Sequence, residues 1–503
     1  MAPVSIASLL TTRGGPRRAS LSCLGALLLS TAALAIDRQL FDGVGTFPAD
    51  MHASASTDLA ANHSYCGTTG LISADFVLSR HLREHPEAMR EPVAAILDRT
   101  ATKDGYCRTV TVPYAHNENG LMLFETAFLT IRPRASARQI GLALAAVSAM
   151  VAAIVAYASL RAGLAWWLSA TIVWFFIAVA GRLSMYQFTA YPLDTTTAIL
   201  FVAAVTLAAA SLRGRAAAAC ATAGALLGLV AGFGMNVRTS HSLVYIVLAV
   251  ELAAFVYAAR VRLDQPGVAI LPAASLLVAF AAAVALFDVV FIRPVRVAAA
   301  RATNNYVFHT VAHPLVMGLA VPPSDLSRRE GLEWNDSIGL AVARRVDPTV
   351  TFLGPTYEGA LFTYYFGLWR QHPAEMRTVY WRKLLAAGRG VFLQAAQLVP
   401  GSLRRIYLVF ADRANGLELL AGSFGAALVA FWRAIRTGSA PAFGVAAAAT
   451  VTVMIVAEAA IIFPTFFLAY HAWLLLAVVV GPAIALQIVI DTAASAWPMR
   501  LRS

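Results

Sequence analysis

The sequence predicts an all-α polytopic membrane protein: about ten transmembrane helices, with two large polar regions on one side of the membrane. Three observations carry that expectation. Apolar residues make up 59% of the chain and charged residues 13%, and the mean hydropathy of +0.67 lies well beyond the soluble range. Apolar runs of about 20 residues, the length that spans a bilayer as helix, recur along the chain. Arginines stand at alternate ends of those runs, as the positive-inside rule requires.

Residues 1–20 read as a cytoplasmic N-terminus in which Arg13, Arg17 and Arg18 precede the first apolar run, 21–36. That run is either a retained helix or a secretory signal ending in Ala33-Leu34-Ala35, and both readings place the next segment outside. The retained helix is preferred because further spans come later in the chain. Residues 37–138 form the first outer loop. Apolar runs near 139–160, 164–181, 195–212, 216–234, 242–259 and 268–288 make spans two to seven. A second outer region covers 289–415, and its tail from Leu384 to Arg413 alternates apolar and basic residues as an amphipathic helix does. Spans eight to ten, near 416–433, 441–463 and 468–490, fill 416–490, and 491–503 is the tail.

The arginines test the count. Arg161, Arg213 with Arg215, Arg260 with Arg262, Arg433 with Arg436, and Arg500 with Arg502 fall on every inner connection of a ten-span chain with both termini inside. Scattered in this way, the net charge of +12 faces anionic headgroups and makes no nucleic-acid patch. Only Lys103 and Lys383 are lysine. Cys23 and Cys220 sit in apolar runs as packing residues, whereas Cys66 and Cys107 share the first outer loop, where a disulfide is the simplest reading. No P-loop, Rossmann glycine pattern, paired CxxC or HExxH is present, and the inner loops are too short for a nucleotide-binding domain. Chemistry therefore belongs to the outer face.

Polar residues gather at the outer boundaries. Asp37 and Asp42 come just after the first run; His116, Asn117 and Glu118 stand at the return to the membrane in AHNENGLMLFETAFL. Arg182, Tyr186, Tyr191 and Asp194 occupy the turn after the third run, and Asn236, Arg238 and His241 interrupt GFGMNVRTSHSLVYIV. Asp288, Arg293 and Arg296 mark the exit of the seventh run. Arg238, Arg293 and Arg296 suit a phosphate, since a guanidinium presents a fixed fork of donors. Plainer roles compete: Asp37 and Asp42 as solvated loop acids, His116 to Asn119 as a helix cap, and Arg238 as the counter-charge of Glu458 or Asp288. Glu251, mid-span, lies too deep for an outer-face site. In the second outer region, Glu333-Trp334-Asn335-Asp336 joins a ring to acid and amide groups, a pairing used on sugars. The competing role is a small folded unit with Trp334, Tyr357, Tyr364 and Trp369 as its core.

This layout resembles the GT-C superfamily of integral-membrane glycosyltransferases, which use polyprenyl-phosphate sugars on the outer face. The stretch from His116 to Leu121 sits where protein O-mannosyltransferases and aminoarabinose transferases carry a His-Pro-Pro-Leu-like segment opening an interfacial helix, with Asn119-Gly120 standing for the prolines. The His313 to Glu375 region resembles a recurrent segment of bacterial multispan proteins of this type. The resemblance implies a multi-pass protein of the bacterial cytoplasmic membrane that moves a sugar from a lipid-linked donor to an envelope glycan, lipid or protein. Asp42, Asp37 or Glu118 would supply the base. His116, Asn117, Arg238, His241, Arg293, Arg296, Trp334 and Asp336 would bind substrate. Some relatives need a divalent metal and others do not; no metal ligands are assigned, and the partners are lipids and substrates, not nucleic acid. A transporter or flippase for a lipid-linked or anionic envelope precursor is the alternative.

Overall fold

The computed structural model describes residues 55–67, 77–100, 107, 119–161, 190–212, 214–237, 242–263, 266–294, 297, 311–352, 354–395 and 416–462. Those residues are almost wholly helical. Seven long helices form a bundle: α5 (Ala137–Arg161), α6 (Ala190–Leu212), α7 (Ala217–Val237), α8 (Ser242–Val261), α9 (Pro266–Phe287), α15 (Gly416–Thr437) and α16 (Ala440–Ile461). Six of them, α5, α7, α8, α9, α15 and α16, are long and apolar enough among the described residues to cross a membrane. Such a set of helices makes a multi-pass membrane protein. Their surfaces agree: Ile270, Leu271, Val278, Leu428 and Val429 are exposed, as lipid-facing side chains are.

Helix pairing in lipid relies on close packing, because the tails are as apolar as the side chains. The most extensive pair, α7 with α9, obeys that rule. Gly224, Gly228 and Gly232 recur every fourth residue and form a groove along α7. A Cβ at Gly224 would strike the Leu276 carbonyl oxygen, one at Gly228 the Phe280 carbonyl oxygen, and one at Gly232 would lie 2.8 Å from Cβ of Phe287. The order 224-228-232 against 276-280-287 makes the two helices parallel, with α8 returning between them. Hydroxyls add directional bonds between helices: Ser148 of α5 meets Thr196 of α6 at 2.9 Å, and Thr450 of α16 donates to Glu251 of α8 at 2.7 Å.

One end of the bundle is basic. The α6–α7 turn carries Arg215, the end of α8 carries Arg260 and Arg262, and the end of α15 carries Arg433 and Arg436. The Arg260 guanidinium donates to the Arg215 carbonyl, joining two of these turns. Gly438 closes the third at φ +68°, a left-handed conformation open to glycine, and Ser439 caps α16 by accepting from the Ala442 amide at 3.3 Å. Phe255 and Phe443 pack at 5.2 Å between centroids on the arginine side of Glu251 and Thr450, so α16 starts at the arginine end as well.

Two smaller helical units cap the opposite end. The first holds α1 (Ala55–Cys66), α2 (Val77–Glu84), a 3₁₀ turn (Pro86–Arg90), α3 (Val93–Thr100) and α4 (Asn119–Ile131). Its core of Ala60, Leu78, Ile96 and Leu121 runs on into Ile140 and Leu144 of α5, Leu193 of α6 and Val237 of α7. A Cys66–Cys107 disulfide closes it, with Cα atoms 5.7 Å apart. Ser136 and Gln139 cap α5 reciprocally, backbone to side chain, at 2.9 and 3.3 Å.

The second unit holds α10 (Ala312–Gly318), α11 (Asp325–Arg329), α12 (Asp336–Val346), α13 (Tyr357–Gln371) and α14 (Pro373–Ala395). Tyr357 is fully buried at its centre, and Tyr364 and Trp369 pack against the same core. Trp334 is half-buried. The sequence pattern starts the amphipathic helix at Leu384; the helix in fact begins at Pro373, whose fixed φ and missing N–H suit a first turn. Its far part, beyond Ala395, lies outside the described residues. Gly318 and Lys383 seat the unit on α16: a Cβ at Gly318 would strike the Ile462 carbonyl, and Lys383 donates to the carbonyls of Ile461 at 2.6 Å and Ile462 at 3.3 Å.

Candidate functional site

The capped end gathers several of the buried polar groups among the described residues. Asn119 opens α4 and is 2% exposed, yet neither atom of its amide has a hydrogen-bond partner among the described residues. Its neighbour Gly120 explains the position. A Cβ there would lie 2.5 Å from Cγ2 of Val237 and 2.9 Å from the Val237 amide nitrogen, so only glycine lets α4 begin against the last turn of α7. Gly234, one turn earlier on the same face of α7, lies under the Tyr245 hydroxyl of α8. That hydroxyl is buried without a hydrogen-bond partner among the described residues. Asp194 of α6, also buried, is near enough to act on it electrostatically. Thr197 faces Gly234 and returns its own hydroxyl to the Leu193 carbonyl at 2.7 Å. Four helices thus bring an amide, a phenol and a carboxylate to the turn that leads into Arg238.

Beside this node a cleft of about 610 Å³ opens between α7, α8 and α9. Ile246, Val250, Phe280 and Val284 give it apolar walls. Asn236, Ser242 and Asp288, at the capped ends of their helices, supply its polar groups. Asn236 also donates to the Gly232 carbonyl at 2.8 Å. Beyond Asp288 the helix widens into a π turn, Asp288–Ile292, which carries Arg293 out to an exposed position.

Most of the residues singled out from sequence lie outside the described residues: Asp37, Asp42, His116, Asn117, Glu118, Arg238, His241 and Arg296. Trp334 and Asp336 sit on the second unit, with Asp336 at the first position of α12. Asn335 accepts from the Ser337 amide at 3.0 Å, so its amide is used as a helix cap. A buried polar pair of that unit is His313 and Tyr357, whose Nδ1 and hydroxyl are 2.5 Å apart over Gly339. Glu358 accepts from the Ala312 amide at 3.0 Å and so satisfies the start of α10. Tyr364 donates to Glu330 at 2.9 Å; burial, then that bond, raises its pKa. In the first unit Tyr65 donates to Asp98, a bond that with burial pushes the phenol up to about 12. Burial holds His81 below its ordinary value, aided by His85, whose ring lies 4.7 Å away.

Sequence reasoning passed over three features. Tyr245 reads as one more aromatic in an apolar run, and no local signal marks it. The spacing of Gly224, Gly228 and Gly232 does announce the α7 groove. Lys383, one of two lysines in the chain, is fully buried. Among the described residues no group of three or more His, Cys, Asp or Glu is placed to hold a metal ion. Comparison with known protein families, curated proteins and solved structures finds no match to this chain.

Proposed function

We propose that the chain is a glycosyltransferase that moves a sugar from a polyprenyl-phosphate donor to a cell-envelope acceptor on the outer face of the cytoplasmic membrane. The observation that carries this reading is the placement of polar groups. Asn119, Asp194 and Tyr245 sit buried at one end of the bundle, beside an apolar cleft that reaches the lipid, under the two helical units. A donor with a lipid tail and a polar head needs such a boundary: apolar walls for the tail and hydrogen-bonding groups at the head. The arginine turns at the other end support reading that end as the cytoplasmic one by the positive-inside rule.

In this reading Asp42 or Asp37, with Glu118 as competitor, takes the proton of an acceptor hydroxyl as its oxygen attacks the anomeric carbon. The bond from that carbon to the phosphate oxygen breaks, and polyprenyl phosphate leaves with the electron pair. Arg238, Arg293 and Arg296 stabilise the charge on the leaving phosphate. His116, Asn117, His241, Trp334 and Asp336 hold the sugar and acceptor.

Mass spectrometry of envelope glycans from a deletion strain tests the proposal. A missing sugar restored by the wild-type gene supports it. Accumulation of an untransported precursor inside the cell overturns it in favour of a transporter. Within the enzyme, full activity in Asp42→Asn, Asp37→Asn and Glu118→Gln alike would remove the first-loop base.

A further inference from the structure

Glu251 is the single charged residue in the middle of any apolar run of this chain. It lies ten residues into the twenty of α8, Ser242–Val261. Its partner Thr450 lies at the middle of α16, Ala440–Ile461. Two independent helices therefore place the pair at the same depth, near the bilayer midplane. Thr450 donates to Oε1 at 2.7 Å, and Oε2 is buried with no hydrogen-bond partner among the described residues.

Among the described residues, the surroundings supply no counter-charge. On the helices packed against α8, the ionisable side chains stand at the ends. Asp194 of α6, Glu418 of α15, Glu458 of α16 and Asp288 after α9 lie toward the capped end, and Arg433 and Arg436 of α15 lie at the arginine end. α7 carries only Cys220, near the arginine end. The apolar runs 21–36, 164–181 and 468–490 add no mid-run charge either, since the one ionisable side chain with a charge to offer, His471, is near a run end. A bare carboxylate at this depth costs several kcal/mol or more, roughly 2.5 to 3.5 on the most lenient scale. One threonine hydroxyl does not offset that.

We propose that Glu251 is a proton-binding site at the centre of the membrane domain. Its carboxyl is held as the uncharged acid at neutral pH, bonded to Thr450, and within reach of lipid-soluble reagents. The acid is half-buried as a residue, so its stem borders lipid even though Oε2 is enclosed. The site stands apart from the transferase reading, whose residues lie at the capped end.

Two measurements on the full chain in lipid nanodiscs test it. The first is the infrared difference spectrum between wild type and Glu251→Gln. At neutral pH it shows a carboxylic-acid carbonyl band in the wild type, replaced by carboxylate bands as the pH is raised. Carboxylate bands already present at neutral pH overturn the proposal, as does an acid band that survives throughout. Glu251→Gln keeps an acceptor for Thr450, so folding is retained. The second is reaction with dicyclohexylcarbodiimide, in which the acid O–H adds across one C=N bond and the adduct rearranges to an N-acylurea, with nothing lost. The peptide bearing Glu251 gains the full reagent mass in wild type, with labelling falling at least tenfold at alkaline pH. Absence of that adduct at neutral pH overturns the lipid-accessible site.

Discussion

Gly228 of α7 and Phe280 of α9 meet so closely that one methyl group on Gly228 would collide with the Phe280 carbonyl oxygen. The contact is backbone to backbone, so no side-chain rotation relieves it. Gly228→Leu is expected to force α7 and α9 apart and to cost at least about 3 kcal/mol, beyond ordinary overpacking. Gly425→Ala, where nothing lies within 4 Å, is the control; as a helical glycine replaced by alanine it stabilises by up to about 1 kcal/mol. Thermal unfolding in detergent compares the two. Equal midpoints would mean that the groove is not a tight interface.

Asn119 buries an amide without a partner among the described residues, a condition that costs about 1–3 kcal/mol. Asn119→Leu is close in size and removes that cost, so the variant is expected to melt higher than wild type. If the proposed transferase reading holds and this amide serves a ligand, the same change is expected to abolish sugar transfer. A variant that melts lower has lost a packing role instead.

Lys383 gives a pH signature. Burial brings its amine down to about 7 from an ordinary 10.5, while the Ile461 and Ile462 carbonyls favour the charged form and oppose part of that shift. Between those values the unfolded chain binds more protons than the folded one, so stability rises with pH. The contribution is fully present above about 10.5 and lost as pH falls through about 7. Melting midpoints of wild type should climb across that window by an amount worth at most a few kcal/mol, and those of Lys383→Met should climb less. Parallel profiles would show that the amine does not titrate there.

The Cys66–Cys107 bridge spans 41 residues around α2 and α3. Cys107→Ser is expected to loosen the first unit by about 2–5 kcal/mol. Limited proteolysis should then cut between residues 67 and 107 while the bundle stays intact. Resistance equal to wild type would assign the stability of this unit to its apolar core alone.

The bundle is legible in the sequence because lipid imposes a long, uniform apolar signal; six of the expected spans stand as such helices among the described residues. Alternating arginines likewise foretell that Arg215, Arg260 and Arg433 share one end. Positions that depend on tertiary packing are less visible. Tyr245 differs from its apolar neighbours by one oxygen, and only the approach of Gly234 and Asp194 turns it into part of a polar node. Asn119 reads as one residue of a cap, and it is Gly120 that brings it under cover against Val237. Trp334-Asn335 reads as a sugar-binding pair, but capping of α12 is the stronger local demand on Asn335.

The parallel pairing of α7 with α9 has a consequence for biogenesis. Neighbours in a nascent chain pair as antiparallel hairpins as soon as both have left the ribosome, but these two are separated by all of α8. The glycine groove must therefore stay open to lipid, or to the insertion machinery, until α9 enters the bilayer. Closing it waits for α9 and can precede the entry of α15 and α16, which follow more than a hundred residues later.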